Sequence, residues 1–267
     1  MTKLVKLYAR PKLNSPVLLA SWPGVGNVSL IVAAYLKKKL DFKDLAVVDA
    51  AQFFEPIGVL AEDGVVDEPH FPQSEFYYWK NKAGRSDLIL FIGEDQPATK
   101  AYDLAACVLD TALRFQVQRI YTCAAAVTRI HHTEEPRVWG VATSQETAQG
   151  LSRFNLVQSG SLHIAGLNGL LLGVARERGI DGACLLGEVP SYATQVQNPI
   201  AALAVLRVLT KLLQIELDLD ELVEMARETK ERMKQAAAFA MGEYIDHFTE
   251  PIWEQGEDDE EAEEGDE

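Results

Sequence analysis

The stretch PVLLASWPGVGNVSLIVAAYLKKKL, residues 16–40, contains an apolar run, a turn and a helical pattern in immediate succession. PVLLASW is typical of a short buried strand. VSLIVAAYLKKKL has apolar residues at helical spacing and ends in three lysines, which complement the dipole of a helix at its C-terminus. Gly24 and Gly26 lie between the two and favour a tight corner, which is also how a dinucleotide-binding unit begins. A strand, turn and helix in this order indicate an α/β protein.

The rest of the chain repeats this alternation of short apolar runs with longer helical patterns, which is typical of the α/β class. LAVVDA (45–50) predicts a second strand, and SEFYYWKNKAGRSDLILFIG (74–93) predicts a hairpin around the turn residues Asn81 to Gly84. A hairpin adds an antiparallel pair, so we expect a mixed sheet. Three further strands are predicted in VQRIYTCAAAV, RVWGVAT and GACLLGEV. Their carboxyl ends are where sites usually lie in this class of fold.

Helix signals accompany these strands. TKAYDLAACVLDTALRF is strongly helical, Ser144 is placed to cap a short helix, and GLNGLLLGVARERG predicts a helix that ends at Gly179. The glycines of this last segment indicate close packing against a neighbour, and they are Gly166, Gly169 and Gly173.

The C-terminal third predicts two long helices followed by a tail. IAALAVLRVLTKLL follows Pro199, and the second helix, residues 220–248, has a plausible capping pair at its start, Asp218 with Glu221 three residues on. One face of the second helix carries residues at three- and four-residue steps, namely Leu222, Met225, Thr229, Met233, Ala236, Ala240 and Tyr244. We therefore predict a core domain over 1–214, a helical extension over 215–250 and a disordered acidic tail over 251–267.

Charge and composition exclude several classes of protein. The net charge is −15, but ten acidic residues lie in 254–267, so the remainder carries only −5. Such a body offers no basic stripe for nucleic acid, because Lys37 to Lys39 form its only compact cationic run. No segment predicts a signal peptide or a membrane span, so we expect a cytoplasmic protein. Cys107, Cys123 and Cys184 lack metal or redox spacing and are expected to be buried, reduced thiols.

The corner at Gly24 is the strongest candidate for a ligand site. A dinucleotide fingerprint needs a third glycine, and Ser29 stands there, although Asp49 lies where a ribose-binding acid would be expected. The backbone amides around Gly26, Asn27 and Val28 would open a helix and favour an anion. The alternative is a turn that only packs.

Two acids complete this candidate site. A pocket for a small molecule would form between the turn of Gly24 to Val28, the strand end at Glu94, and Glu188. Glu188 ends a buried strand, where a carboxylate is either functional or hydrogen-bonded to neighbouring amides. The sequence predicts no metal site, no cofactor and no catalytic grouping.

Histidines offer a weaker candidate. His131 and His132 are expected to point apart in an extended, charged loop, where a solvated surface competes with general acid or base work by one ring. His163 is expected to fill a core or interface position.

Four segments occur together in one known family: SWPGVGNVSL (21–30), RIHHTEEPRVWGVAT (129–143), GLNGLLLGVARERGIDGACLLGEVPSY (166–192) and NPIAALAVLRVLTKLL (198–213). In their order and spacing, from about Ser15 to about Leu213, the chain resembles the proteasome assembly chaperone family. The resemblance is to its archaeal and bacterial branch, which is related to the second eukaryotic assembly chaperone. It implies a three-layer αβα domain with a mixed sheet, similar to phosphorylases and hydrolases, plus C-terminal helices. It also implies homo-oligomers, a chaperone-like or scaffold function, and no established catalytic residues.

Two features depart from the family. Ser29 stands where the glycine-rich turn often continues with glycine, and the sequence ends in EEGDE. Archaeal relatives that engage the proteasome look as if they use a terminal hydrophobic-Tyr-X motif, so docking through the C-terminus is not expected here.

Function is therefore expected to be one of two kinds. The first is a homo-oligomeric assembly factor that associates through its long C-terminal helices. The second is a small-molecule or nucleotide-binding enzyme with a phosphorylase-like pocket at the Gly24 to Val28 turn. A third hypothesis makes the acidic tail a lure for basic partners, and its alternative is a tail that only aids solubility.

Overall fold

The computed structural model describes residues 4–56, 58–82 and 86–249, with side chains described as far as Gln235. The strands are β1 (Val5–Leu7), β2 (Val17–Ser21), β3 (Lys43–Val48), β4 (Ala61–Glu62), β5 (Val65–Val66), β6 (Ser74–Trp79), β7 (Leu88–Gly93), β8 (Arg119–Thr128), β9 (Val138–Ala142) and β10 (Gly182–Pro190). The α-helices are α1 (Val28–Lys39), α2 (Ala101–Leu113), α3 (Gln145–Leu151), α4 (Leu167–Glu177), α5 (Pro199–Leu213) and α6 (Asp220–Thr249).

Eight strands form one mixed sheet in the order β1-β3-β6-β7-β2-β8-β10-β9. The centre of the sheet is parallel, since β2 pairs with β7 and β8, and β8 pairs with β10. β1, β6 and β9 run antiparallel to their neighbours. β6 and β7 pair along their whole length, from Ser74 opposite Gly93 to Trp79 opposite Leu88, so the predicted hairpin is confirmed. Part of its turn, residues 83–85, lies outside the described residues.

Helices cover both faces of the sheet. In β2, Leu19 packs in a cluster with α1, α5 and the start of α6, while its neighbours Leu18 and Ala20 pack in a second cluster with α2 and α4. Successive residues of a strand point to opposite faces, so one short apolar strand joins both cores. This arrangement confirms the three-layer αβα architecture and the mixed sheet.

Local signals placed the helices correctly. Ser144 Oγ accepts a hydrogen bond from the amide of Thr147 at 3.2 Å and caps α3. α4 ends just before Gly179, whose φ of 68° is left-handed. Ahead of α6, the Asp218 carboxylate accepts from the amide of Asp220. Glu221, the other half of the predicted capping pair, contacts Lys38 and Lys39 at the end of α1 instead.

Two packing predictions were wrong, and a third holds for one of its alternatives at most. In α6, Met225 is 46% exposed although it lies three residues after the buried Leu222, and the buried side chain of this turn is that of Ala226. A Cβ on Gly173 would meet nothing within 4 Å, so this glycine is not a close-packing position, unlike Gly166 and Gly169. His163, expected in a core or interface position, is exposed and so does not fill the core, and the interface alternative stays a prediction. The predicted helix positions Ala236, Ala240 and Tyr244 lie beyond the described side chains, and the acidic tail lies beyond the described residues.

The three cysteines are buried and free, as predicted. Burial raises the pKa of the Cys107 thiol to about 11 and that of Cys184 to about 12, so both remain protonated near neutral pH. Within the described part of the chain, no helix has both the length and the apolar character needed to cross a bilayer.

Candidate functional site

The turn after β2 is held in place by an asparagine far away in the sequence. Asn168, at the start of α4, is buried. Its Oδ1 accepts from the amide of Trp22 at 3.1 Å and its Nδ2 donates to the carbonyl of Trp22 at 3.1 Å. The same Oδ1 accepts from Ser29 Oγ at 3.3 Å. One amide side chain therefore satisfies both backbone groups of a buried residue, which helix and sheet leave unpaired at this bend.

A glutamine fastens the next residue of the turn. Gln96, in the loop after β7, donates from Nε2 to the carbonyl of Pro23 at 2.6 Å and accepts from the amide of Leu167 at 2.7 Å. Gly166 must be glycine for this contact, because its φ is 74° and a Cβ there would lie 2.6 Å from the Gln96 side chain. The loops after β2 and β7 and the start of α4 thus form one hydrogen-bonded unit.

The second glycine of the turn is enclosed by the loop after β10. Gly26 has a left-handed φ of 62°, and a Cβ on it would lie 3.0 Å from Cβ of Asn198. Its amide donates to the carbonyl of Thr194 at 3.4 Å, and its carbonyl accepts from the amide of Asn198 at 2.8 Å. The amide of Asn27 donates to the carbonyl of Gly24 at 2.9 Å. Two of the amides proposed to receive an anion, those of Gly26 and Asn27, therefore already have partners within the chain.

The strand order also differs from that of a dinucleotide-binding unit. β3, which ends just before Asp49, is separated from β2 by β6 and β7, a distance of about 14 Å at the usual strand spacing. A ribose-binding acid would have to follow a strand adjacent to β2. Asp49 lies elsewhere in the sheet, so this arrangement does not form here.

Glu188 is a buried carboxylate with a full set of donors. Oε1 accepts from Arg137 Nη2 at 2.9 Å and from Trp139 Nε1 at 3.1 Å, while Oε2 accepts from the amide of Arg137 at 3.0 Å and from its Nε at 3.3 Å. Burial alone would raise the pKa of Glu188, but these hydrogen bonds outweigh it and hold the pKa below its usual value. The expected hydrogen bonding of this carboxylate is present, and its functional role stays a prediction.

Glu94 lies apart from Glu188. Its Oε2 accepts from the amide of Gln73 at 2.8 Å, and it is exposed. β7 and β10 are separated by β2 and β8, so the strand end at Glu94 and Glu188 are about 14 Å apart across the sheet. The cavity beside Glu188 holds only about 10 Å³, room for one water at most. Asn198 lines that cavity and also contacts Gly26, so it connects the turn with the Glu188 end of the candidate site.

The histidine loop is folded, in contrast to the prediction. The rings of His131 and His132 lie 4.1 Å apart, centroid to centroid, because the amide of Glu134 donates to the carbonyl of His131 and closes a turn. His132 is 7% exposed, and its amide and Nδ1 both contact Tyr192 Oη, at 2.8 and 3.0 Å. Burial, and then the neighbouring His131 and Lys230, lower the pKa of His132. The described residues contain no group of His, Cys, Asp or Glu that could hold a metal ion.

The loops at the carboxyl ends of β2, β7, β8 and β10 are thus joined to one another by hydrogen bonds, and apolar side chains project from them. Val25 is 39% exposed, Tyr192 62% and Val196 54%. Val25 adjoins Gly26, which binds the Thr194 to Asn198 segment, so these side chains belong to two contacting segments. We call Val25, Tyr192 and Val196 the carboxyl-edge surface. Exposed apolar side chains that lie together are typical of surfaces that contact other molecules.

Sequence reasoning missed the residues that organise this edge: Gln96, Asn168 and Asn198. Asn198 had a signal, because an asparagine directly before proline at a helix start is a capping pattern, and its Oδ1 accepts from the amide of Ala201 at 2.9 Å. Asn168 offered only its polarity within the apolar segment GLNGLLLGVA.

Comparisons with known proteins extend over most of the chain. A model of the PAC2 family matches residues 18–237. An uncharacterised protein of Methanocaldococcus jannaschii is 28% identical over 234 residues, which is 85% of either chain. The crystal structure of Pyrococcus furiosus PbaB, an archaeal proteasome activator, is 29% identical with a TM-score of 0.73 and covers 87% of this chain and 98% of PbaB. That of P. furiosus PbaA, an archaeal homolog of proteasome-assembly chaperone, is 25% identical with a TM-score of 0.66 and covers 87% and 96%.

Proposed function

The chain belongs to the PAC2 family, and from this membership we propose that it is a protein-binding, assembly-chaperone-like protein that acts on the proteasome as a homo-oligomer in the cytoplasm. The family resemblance predicted from four segments of the sequence is confirmed. The observation that carries the proposal is that the similarity to the proteasome activator PbaB extends over nearly the whole of that protein.

The geometry supports a binding role at the carboxyl edge of the sheet. Asn168, Gln96 and Asn198 use their hydrogen bonds to fasten loops, and Glu188 joins β10 to β9. Fixed loops lose little conformational entropy when a partner binds. The carboxyl-edge surface exposes the ring of Tyr192, a residue type that contributes strongly to binding in protein interfaces, beside the exposed Val25 and Val196.

The length of α6 supports a role in self-association. At 1.5 Å per residue, its 30 residues extend about 45 Å, whereas the 15 residues of α5, on which it packs, extend about 22 Å. Leu222, Ala226 and Thr229 bury the first part of α6 against the body. The backbone of α6 continues for about twenty residues beyond Thr229, and we propose that this part contacts a second copy.

Binding to an archaeal proteasome core particle, and separately to its unassembled α subunits, tests the proposal. We expect the purified chain to shift one of these on a native gel, and Val196→Asp to weaken that complex by about tenfold or more. Leu113→Asp provides a matched control, because Leu113 is also exposed, at 38%, but lies at the far end of α2. Absence of any complex with either form, by a chain that is folded by circular dichroism, would contradict the proposal.

Light scattering after size exclusion tests the role of α6. Truncation after Gln235 should lower the mass to that of a smaller assembly, while removal of residues 250–267 alone should leave the assembly unchanged. Equal masses for the two truncations would show that the second half of α6 does not contribute.

The enzyme hypothesis stays a prediction. A pocket between the Gly24 to Val28 turn, Glu94 and Glu188 would bind phosphate, nucleosides or nucleotides, and a thermal-shift screen with these compounds tests it directly. A rise in melting temperature that disappears in Gly26→Asp would favour the enzyme over the assembly factor.

A further inference from the structure

Residues 58–70 form an arm that the body of the protein does not cover. Every residue of this arm is exposed. It contains the hairpin of β4 and β5, closed by Asp63 and Gly64 with φ values of 50° and 80°, as in a type I′ turn. The exposed apolar side chains of the arm are Val59 (51%), Leu60 (73%), Val65 (68%) and Val66 (67%). An isolated two-stranded hairpin is only marginally stable in water, so an apolar hairpin of this kind is expected to pack against another surface.

One edge of the large sheet is open in the described chain. The carbonyl of Leu4 accepts from the amide of Asp49 at 2.8 Å, and the amide of Tyr8 donates to the carbonyl of Leu45 at 2.9 Å. Backbone groups alternate in direction along a strand, so those of Val5 and Leu7 point to the outer side of β1, where no described strand pairs with them.

The opposite edge of the sheet is covered. Gly140 donates to the carbonyl of Val157 at 3.0 Å, and Val157 donates to the carbonyl of Val138 at 2.9 Å, so the segment around Val157 closes the outer side of β9. Unprotected strand edges invite pairing with another chain. β1 is therefore the edge at which this protein can accept a strand.

The surroundings of β1 complement the arm in charge and in apolar character. A groove of about 890 Å³ lies between β1 and α2, and it presents three cations, Lys6, Arg10 and Arg114. Leu4 and Tyr8 also line the groove and are 45% and 53% exposed. The arm carries four acids alongside its apolar residues, and they are Glu62, Asp63, Asp67 and Glu68. Asp110, the acid in the groove, is paired with Arg178.

We propose that the arm of one copy docks on the β1 edge and groove of a second copy, adding a strand to its sheet. The arm does not cover its own groove, because all its residues are exposed. Main-chain hydrogen bonds to Val5 and Leu7 would fix the register, apolar side chains would meet Leu4 and Tyr8, and the arm acids would meet the cations. The inference assigns one contact within the proposed homo-oligomer, and it rests on the self-association stated under the proposed function.

Reciprocal charge reversal tests the contact. One variant reverses the arm, Glu62→Lys with Asp67→Lys, and the other reverses the groove, Lys6→Glu with Arg10→Glu. All four residues are exposed, so the fold should tolerate both changes. In each variant alone, like charges face each other between copies. We therefore expect the dissociation constant for self-association, measured by sedimentation velocity, to rise about tenfold, which corresponds to about 1.4 kcal/mol of binding free energy. In the mixture, each reversed arm faces an oppositely charged groove, so association should return close to that of the wild type.

Two matched valine-to-aspartate variants distinguish the contact between copies from the surface that binds the proteasome. Val66→Asp should weaken self-association but leave the complex with the proteasome unchanged at saturating concentrations, whereas Val196→Asp should do the reverse. Self-association that is absent in the wild type, unaltered in the reversed variants, or not restored by mixing them would overturn the inference. None of these results would contradict the proposed binding to the proteasome. That binding is measured separately on the same samples, so the failure of one proposal can be told from the failure of the other.

Discussion

Replacement of Asn168 by alanine should destabilise the protein, because Asn168 forms hydrogen bonds with the backbone of Trp22, which lies 146 residues away in the sequence. The change removes the acceptor for the Trp22 amide and the donor for the Trp22 carbonyl, at a residue whose side chain is 0% exposed. Each buried backbone group left without a partner costs about 1–3 kcal/mol. Alanine regains about 0.5 kcal/mol of helix propensity in α4. The expected loss in the free energy of unfolding is therefore about 3 kcal/mol.

Urea denaturation at a fixed protein concentration measures this loss, with tryptophan fluorescence as the signal. The midpoint should fall while the slope m stays constant, because the surface exposed on unfolding is unchanged. Arg176→Ala is the matched control, since Arg176 is an exposed residue on the same helix and should change stability by no more than about 0.5 kcal/mol. A loss for Asn168→Ala no larger than that of the control would refute the claim that this side chain holds the turn.

Three further predictions concern single positions. Because the pKa of Glu188 is lowered in the folded protein by hydrogen bonds that outweigh burial, its contribution to stability is present above the ordinary carboxyl pKa and is lost as pH falls. Urea midpoints should therefore drop between about pH 5 and pH 3 in the wild type, and drop less in Glu188→Gln. Gly26→Ala should cost about 2 kcal/mol, because its φ is left-handed and its Cβ would be crowded, whereas Gly24→Ala, at an extended φ with no atom closer than 3.8 Å, should be near neutral by the same assay. Gly173→Ala should stabilise the protein by about 0.5–1 kcal/mol in thermal unfolding, while Gly169→Ala should destabilise it, because its Cβ would lie 2.2 Å from a backbone carbonyl.

Each of these predictions has an outcome that contradicts it. Parallel pH curves for the wild type and Glu188→Gln would mean that this carboxylate titrates alike in the folded and unfolded states. Equal costs at Gly24 and Gly26 would remove the conformational argument for the second glycine. A destabilised Gly173→Ala would contradict the argument that helix propensity decides the effect at this exposed position.

Elements with a local signal were predictable from the sequence. The apolar run of β2, the turn residues between β6 and β7, and the left-handed glycine after α4 each carry their information within a few residues. The face of α6 shows how such reasoning errs by one position. Met225 and Ala226 both lie three or four residues from Leu222 and from Thr229, so helical spacing alone does not decide which of them is buried, and in the structure it is Ala226.

The candidate site depended on partners that no local pattern reveals. Asn168 is 146 residues from Trp22, and Gln96 is 73 residues from Pro23. Only the sheet order brings their loops together. The prediction for the histidine loop failed for a related reason, since the turn that brings the rings of His131 and His132 together is completed by the distant Tyr192.

These long-range contacts decide what the first glycine turn can do. A ligand that uses the amide of Gly26 must displace the carbonyl of Thr194, and it must also leave the hydrogen bond between the Gly26 carbonyl and Asn198 intact or replace it. Asn198 caps α5, so its displacement would loosen the start of a buried helix as well. A partner protein that binds Val25 and Val196 from outside leaves all these bonds in place. Binding at the surface of the turn would therefore disrupt fewer contacts than binding within it, and the left-handed φ of Gly26 with the close approach of Asn198 explains why glycine stands at this position.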